Sequence, residues 1–248
     1  MKLVTSPLLP VDAGAVLIGE KYISSLGDPL ERQGILPIAI PNDPFVDERL
    51  SGHADLAVLH TGGKNLYLAP YLKGSDLSTR VQELGFDIIF PKIQQGPLYP
   101  QDAALNLCIF GDMAIYDPRI VTDEISTRIS SFRFISTRQG YTKCSVLPID
   151  KNSIITADRQ IGESAKKAGL EALIIRPGYI TLPGFRYGFI GGSAFIPREK
   201  ELAFTGSLSS HPDEKLILQF LADREIKVSY LTDRPIFDVG SIIPILEK

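Results

Sequence analysis

The sequence predicts an α/β fold in which five similar strand-strand-helix-strand units close into one ring. The third strand-like run of each unit is the easiest to see, and these runs start at residues 35, 86, 132, 170 and 226. Spacings of about 40 to 55 residues are typical of repeats that bury one another's apolar faces. The first two strands of a unit are joined by short turns, which indicates antiparallel hairpins. The chain also begins with an incomplete unit and ends with a spare strand.

The N-terminal unit lacks a first strand. It consists of a strand at Ala15–Ile18, a short helix and a strand at Ile35–Ile40. The spare C-terminal strand is Ser241–Leu246, and pairing it with the N-terminal unit would remove the exposed edges of an open array. The alternative is an ordinary doubly wound parallel sheet, which the short turns disfavour. Residues 1–248 are therefore predicted to form one domain.

The other four units follow in order along the chain. Their first strands are predicted at Asp55–His60, Ala104–Phe110, Cys144–Ile149 and Ser193–Ile196. Their second strands are predicted at Leu66–Ala69, Met113–Tyr116, Ser153–Ala157 and Glu201–Thr205. A helix follows each pair, and Gly85 and Gly169 stand where glycine ends a helix. The third strands are the runs named above.

Composition excludes several classes of function. The 248 residues carry a formal net charge of −3 without a block of like charge, so no nucleic-acid surface is predicted. No run of about 18 uncharged apolar residues indicates a membrane span. Two cysteines do not form a disulfide framework, and the N-terminus is a poor signal peptide. We therefore expect a cytoplasmic protein. The few histidines and cysteines lack metal-ligand spacing, so neither a metal nor a cofactor is predicted.

Four phrases resemble the pentein superfamily, the α/β propeller of guanidino-group-modifying proteins. They are GHADLAVLH (52–60), GYTKCSVLPIDKNSIITAD (140–158), FIGGSAF (189–195) and FDVGSIIPI (237–245). The superfamily contains arginine deiminases, dimethylarginine hydrolases, amidinotransferases and a non-catalytic ribosome anti-association factor. The phrases also resemble an uncharacterised bacterial branch of it. The resemblance implies a five-fold pseudosymmetric α/β propeller, closed by the C-terminal strand, whose first strands line a central channel.

The resemblance also indicates where the family's catalytic pair would stand. The family's cysteine falls at the place of Ser241, and its histidine falls within 142–144, which reads Thr-Lys-Cys. Both residues are therefore missing. A serine without an adjacent base is a weak nucleophile, so the inherited mechanism does not carry over unchanged.

A rearranged site is the hypothesis that replaces it. Cys144 and His53 lie at the starts of different units and would form the catalytic pair. Acids in such a site would hold a cationic substrate by paired hydrogen bonds. The predicted substrate-binding residues are Asp55, Asp238, Asn106, Ser193, Ser241 and Arg186. The alternatives are that Cys144 is an inert core thiol and that His53 is a turn residue whose ring is hydrogen-bonded by backbone groups.

Two functions follow from these hypotheses. The first is a hydrolase or amidinotransferase that acts on a guanidino or amidine small molecule in a central, acid-lined pocket. The second is a non-catalytic pentein that binds a small ligand or a macromolecular partner. The expected partner of the first is a small, cationic ligand. The sequence contains no indication of the oligomeric state.

Overall fold

A computed structural model describes residues 1–248, and its strands form five small sheets. Four sheets have three strands and one has four. In each of the four three-stranded sheets the first strand is antiparallel to the second, and the second is parallel to the third across a helix. This order confirms the five predicted units. The alternative of a single parallel sheet is wrong, because every sheet contains an antiparallel pair.

The N-terminal unit begins with a short strand at the chain start. Its elements are β1 (Lys2–Leu3), β2 (Ala13–Gly19), α1 (Ile23–Arg32) and β3 (Leu36–Ile40). A 3-10 turn at Glu20–Tyr22 leads into α1. Strand β2 is parallel to β3, with Leu17 opposite Ile38.

The second and third units repeat the order of elements. The second contains α2 (Ala54–Ala57), β4 (Val58–His60), β5 (Asn65–Leu68), α3 (Asp76–Glu83) and β6 (Asp87–Ile89). A 3-10 turn at Pro70–Leu72 precedes α3. The third contains β7 (Cys108–Phe110), β8 (Met113–Tyr116), α4 (Asp123–Arg128) and β9 (Arg133–Ser136). Ser75 and Thr122 cap their helices by accepting hydrogen bonds from backbone N–H groups three residues later, which stabilises each helix start.

The fourth and fifth units complete the set. The fourth contains α5 (Thr142–Ser145), β10 (Val146–Asp150), β11 (Ser153–Thr156), α6 (Arg159–Lys167) and β12 (Glu171–Ile174). The fifth contains a 3-10 turn (Ile190–Gly192), β13 (Ala194–Arg198), β14 (Glu201–Phe204), α7 (Glu214–Ala222) and β15 (Lys227–Tyr230). None of the helices has the length and apolar character that crossing a membrane requires.

The C-terminal strand pairs with the N-terminal unit, as predicted. This strand, β16 (Ile243–Glu247), lies antiparallel to β2, with Ile243 opposite Leu17. Its other edge pairs with β1, where Leu246 lies opposite Leu3. Every residue of β2 and β16 is buried, which explains why both segments are almost continuously apolar. The pairing brings residues 238–241 back to the N-terminal half of the chain.

One local prediction is wrong in a way that matters for the site. Asp55 and Cys144 were expected to open their strands, but each lies on a single helical turn, α2 or α5, that precedes the strand. Tertiary contacts hold these turns, since the Asp55 N–H donates to the Gly240 carbonyl and the Cys144 N–H to the Asn106 side chain. Contacts between units are not visible in a hydrophobic pattern, which explains the error.

Candidate active site

A cavity of about 340 Å³ opens beside α2 and α5, the helical turns that precede the first strands of the second and fourth units. Its polar lining consists of His53, Cys144, Asp238 and Arg186. The rest of the wall is apolar or aromatic and is formed by Leu50, Leu56, Tyr141, Leu182, Phe185, Tyr187 and Phe189. Ligand sites in proteins commonly combine an apolar wall with a few convergent polar groups. The cavity is therefore the candidate active site.

Cys144 is the nucleophile-bearing residue of this cavity. Its thiol donates a hydrogen bond to Asp55 Oδ2 at 2.9 Å and accepts one from Asn106 Nδ2 at 3.3 Å. Burial raises the pKa of the thiol well above its ordinary value, and the nearby Asp55 and Asp238 carboxylates raise it further. The thiol is therefore protonated at neutral pH while the cavity holds no cation.

Asn106 fixes the backbone that carries Cys144. Its Oδ1 accepts hydrogen bonds from the N–H groups of Lys143 at 2.7 Å and Cys144 at 3.3 Å. These are two of the orphan donors at the start of the turn α5. Asn106 is 1 % exposed. It therefore orients the thiol from beneath and does not line the cavity.

Asp55 lies behind Cys144 in a buried hydrogen-bond chain. Its Oδ2 accepts from the Ser241 hydroxyl at 2.6 Å, in addition to the Cys144 thiol. Ser241 Oγ in turn accepts from Lys143 Nζ at 2.9 Å, and Lys143 Nζ also donates to the Gly191 carbonyl at 3.0 Å. Asp55, Ser241 and Lys143 are all at least 95 % buried. These hydrogen bonds therefore join the C-terminal segment of the protein to its second and fourth units.

Asp238 presents a buried carboxylate to the cavity. Its Oδ2 accepts from the Phe189 N–H and its Oδ1 from the Gly240 N–H, both at 2.8 Å. Burial raises its pKa from 3.8 to about 6, against the opposing effect of these hydrogen bonds and of the positive charge on Lys143. Asp238 is therefore ionised at neutral pH and carries a negative charge at the cavity wall.

His53 is the remaining polar group of the wall. Burial lowers its pKa to about 4, although the Asp55 charge opposes this shift. Its Nε2 is buried and has no hydrogen-bond partner. With a pKa of about 4 the imidazole is neutral at physiological pH, so its free nitrogen can take up a proton only transiently, as a general base. His53 can therefore act as a base in this cavity.

Comparison with known proteins gives the family. The model of a family of unknown function, DUF6873, matches residues 17–243. The chain belongs to this family. No curated protein has a sequence that matches it.

Solved structures show which fold this DUF6873 member has. It is similar to the inosamine-phosphate amidinotransferase StrB1 of Streptomyces griseus, with 11 % identity, a TM-score of 0.62 and coverage of 100 % of this chain and 97 % of that one. It is also similar to an agmatine deiminase of C. jejuni, with 10 % identity, a TM-score of 0.60 and coverage of 99 % and 96 %. DDAH from Pseudomonas aeruginosa matches at 10 % identity, a TM-score of 0.55 and coverage of 95 % and 100 %. These are pentein proteins, so the predicted resemblance is confirmed and the DUF6873 chain has their fold.

The structure gathers most of the predicted site residues of the DUF6873 chain, but at two depths. His53, Cys144, Asp238 and Arg186 line the cavity. Asp55, Asn106, Ser193 and Ser241 do not line it, because they lie buried in the layer beneath. Ser193 donates its hydroxyl to the Ile190 carbonyl of its own turn. Direct contact between these four residues and a substrate stays a prediction.

The expectation of an acid-lined pocket needs correction. Eight of the eleven lining residues are hydrophobic when Cys144 is counted with the apolar and aromatic side chains, and Asp238 is the single carboxylate of the lining. The aromatic wall is not predicted from the sequence, because an aromatic residue in a loop has the same local pattern as one in the core. One signal was present: the long irregular segment at 176–188 supplies Leu182, Phe185, Arg186 and Tyr187. Arg49 holds this segment by donating to the Gly184 carbonyl at 2.7 Å.

Three side chains could hold a metal ion. The donor atoms of His53, Asp55 and Cys144 all lie within 4.8 Å of one another, and sulfur, imidazole and carboxylate together suit Zn²⁺. However, the thiol already donates its proton to Asp55, and Lys143 lies one hydroxyl group away from that carboxylate. These contacts favour a protonated thiol over a metal thiolate. The absence of a metal and of a cofactor stays a prediction.

Proposed function

We propose that this protein is a cysteine-dependent enzyme that breaks a C–N bond of a small guanidino or amidine compound, as a hydrolase or an amidinotransferase. One observation carries the proposal: the Cys144 thiol lies in the cavity wall between two buried carboxylates, Asp55 behind it and Asp238 beside it. Guanidinium and amidinium groups are planar cations that pair with carboxylates. The fold shared with an amidinotransferase and an agmatine deiminase supports the same class of chemistry.

A cationic substrate would activate the nucleophile on arrival. The pKa of the Cys144 thiol is high because of burial and because two carboxylates surround it. A cation bound at Asp238 offsets that negative charge and shifts the thiol toward thiolate. Since a thiolate is the reactive form, the cavity would react faster with cations than with neutral electrophiles of the same size.

Each polar residue of the wall has a role in this proposal. Cys144 attacks the central carbon of the guanidinium or amidinium group and forms a covalent intermediate. His53, which is neutral because its pKa is about 4, accepts a proton from the water or acceptor amine that releases this intermediate. Asp238 holds the cation. The aromatic and aliphatic wall suits a substrate with an apolar body, and Arg186 stands at the exposed rim.

The proposal includes a closed arrangement of the sheets and a reducing location. We propose that the five sheets form a complete ring, supported by the pairing of β16 with β2. The ring gathers residues from opposite ends of the chain at one cavity. A free catalytic thiol persists in a reducing compartment, so the proposed location is the cytoplasm.

Turnover assays test the function. Arginine, agmatine, methylated arginines and simple alkylamidines are incubated with the wild type and with Cys144→Ser, His53→Gln and Asp238→Asn variants, and released ammonia or amine is measured. Cys108→Ser is the matched control, because Cys108 is a core thiol that does not line the cavity. Turnover that is lost in Cys144→Ser and retained in Cys108→Ser supports the proposal. Binding of these compounds without turnover in any sample would favour the non-catalytic alternative.

A further inference from the structure

The hydrogen bonds around Cys144 identify its nearest proton acceptor, and it is not His53. The thiol donates to Asp55 Oδ2 at 2.9 Å. His53 makes no hydrogen bond to Cys144, and its Nε2 has no partner at all. A base must lie within hydrogen-bond reach of the proton that it removes. Asp55 meets this condition directly, whereas the His53 ring nitrogen lies within 4.8 Å of the thiol sulfur but makes no hydrogen bond to it.

Asp55 is held in place by two residues at the positions where the family's catalytic pair would stand. Ser241 donates to Asp55 Oδ2 at 2.6 Å, and Lys143 donates to Ser241 at 2.9 Å. Ser241 adopts a φ of +76°, a backbone conformation that costs a non-glycine residue about 1 kcal/mol or more. This strained position aims the hydroxyl at Asp55. Asp55 Oδ1 has no hydrogen-bond partner, so the carboxylate keeps one unused acceptor oxygen.

We infer that Asp55 accepts the proton of the Cys144 thiol during attack, and that Ser241 and Lys143 position Asp55 for this transfer. The inference rests on the proposed function. It assigns Asp55 a catalytic role in place of the predicted substrate contact, and it leaves His53 for the second half of the reaction. Ser241 and Lys143 act as positioning residues.

Sγ of Cys144 forms a bond to the central carbon, and the electron pair of its C=N bond moves to nitrogen. The S–H proton passes to Asp55 Oδ2, which becomes a carboxylic acid. The C–N bond to the departing group then breaks, the proton held by Asp55 reaches the leaving nitrogen through one bridging water, and ammonia or an amine departs. A thiouronium or thioimidate on Cys144 remains, and water or an amine attacks it with His53 as base.

The first test measures the reactivity of the Cys144 thiol and needs no substrate. The rate of alkylation of Cys144 by iodoacetamide is followed by peptide mass spectrometry between pH 6 and pH 10, and Cys108 reports any unfolding in the same digest. We expect Asp55→Asn to speed alkylation at pH 7.5 by about tenfold, because the variant removes a negative charge and a hydrogen-bond acceptor of the protonated thiol. Ser241→Ala should slow it by about threefold, because the thiol then donates to an Asp55 oxygen that no longer shares its charge with a second donor, and this stronger hydrogen bond stabilises the protonated thiol.

The second test measures the covalent step in single-turnover, acid-quenched reactions. Asp55→Asn should lower the rate of intermediate formation by about 10²-fold or more, the usual contribution of a positioned base, with KM changed much less. His53→Gln should instead accumulate the intermediate on Cys144. A raised KM with unchanged kcat in Asp55→Asn would show that Asp55 binds substrate and would overturn the inference.

The two tests separate failure of the inference from failure of the proposed function. If no compound reacts with the wild type, the proposed function fails, and the alkylation profile alone decides whether Asp55 controls the Cys144 proton. An alkylation profile that is the same in wild type and Asp55→Asn overturns the inference, whatever the turnover assay shows. If Asp55→Asn does not fold, Ser241→Ala decides, since an unchanged profile in that variant contradicts the hydrogen-bond chain.

Discussion

Asp238 should make the protein less stable as the pH rises, contrary to the usual behaviour of a carboxylate. Its pKa is 3.8 in an unfolded chain and about 6 in the folded protein, because burial disfavours the charged form. Below pH 3.8 both states are protonated and the group contributes nothing. Between the two values the folded state binds the proton more tightly, so stability falls with rising pH. Above pH 6 the loss is complete.

The size of this loss follows from the shift of about 2 pKa units. At 1.36 kcal/mol per unit, ionisation of the buried Asp238 costs about 3 kcal/mol. Asp238→Asn removes the titrating carboxyl group and keeps the size and shape of the side chain. The variant carries a penalty of about 1 to 3 kcal/mol, because the new amide faces two backbone donors, but that penalty is the same at every pH.

Urea denaturation at intervals between pH 3.5 and pH 7.5 measures the effect. The stability of the wild type minus that of Asp238→Asn should fall by about 2 kcal/mol between pH 4 and pH 6.5, since all other groups cancel in the difference. Asp28→Asn, which removes an exposed carboxylate in α1, is the control and should give a flat difference. A flat difference for Asp238 as well would refute the claim that burial strains this carboxylate.

Three further predictions concern the ligand, the backbone and the closing strand. Affinity for a simple alkylamidinium should rise as the pH increases through about 6 and then level off, because Asp238 must be ionised to hold a cation. Calorimetric titration at several pH values measures this affinity. A pH-independent affinity would contradict the role of Asp238. Gly191→Ala should destabilise the protein by about 2 kcal/mol or more, since its Cβ would lie 2.2 Å from the Val146 carbonyl oxygen. Gly27→Ala, whose Cβ meets nothing nearer than 3.6 Å, is the control for this urea experiment and should be neutral or stabilising. Ile245→Ala should cost about 2 to 5 kcal/mol because Ile245 is completely buried in β16, and a loss below about 1 kcal/mol would show that the C-terminal strand is not part of the core.

The sequence predicts the five units and the pairing of the chain ends because both depend on local apolar periodicity and short turns. It also predicts His53, Cys144 and Asp238 at one cavity, since the ring resemblance places the unit starts together. The sequence does not predict which of these residues line the cavity and which lie buried beneath it. Asp55 and Ser241 have the same pattern as cavity residues, but the Cys144 side chain stands between Asp55 and the cavity. Lys143 lies at the start of a unit beside Cys144, but a lysine before an apolar strand normally faces solvent, so the pattern does not predict its burial.

Pocket composition is the other part that the sequence could not supply. The wall residues come from the segments that precede the first strands of the second, fourth and fifth units, and the aromatic residues there follow no period. Their joint position depends on contacts such as the Arg49 guanidinium over the Phe185 ring at 4.4 Å. Contacts of this kind join residues that are distant in the chain, so no local pattern records them.

The most direct test of the account compares two electrophiles of nearly equal size, the cation 2-chloroacetamidine and the neutral 2-chloroacetamide. Each rate of modification of Cys144, measured by peptide mass spectrometry at pH 7.5, is divided by the rate with N-acetylcysteine. We expect the normalised rate for the cation to exceed that for the neutral compound by about tenfold or more, and Asp238→Asn to remove most of this preference. Equal normalised rates, or modification of Cys108 before Cys144, would contradict a cation-activated thiol at the centre of this fold.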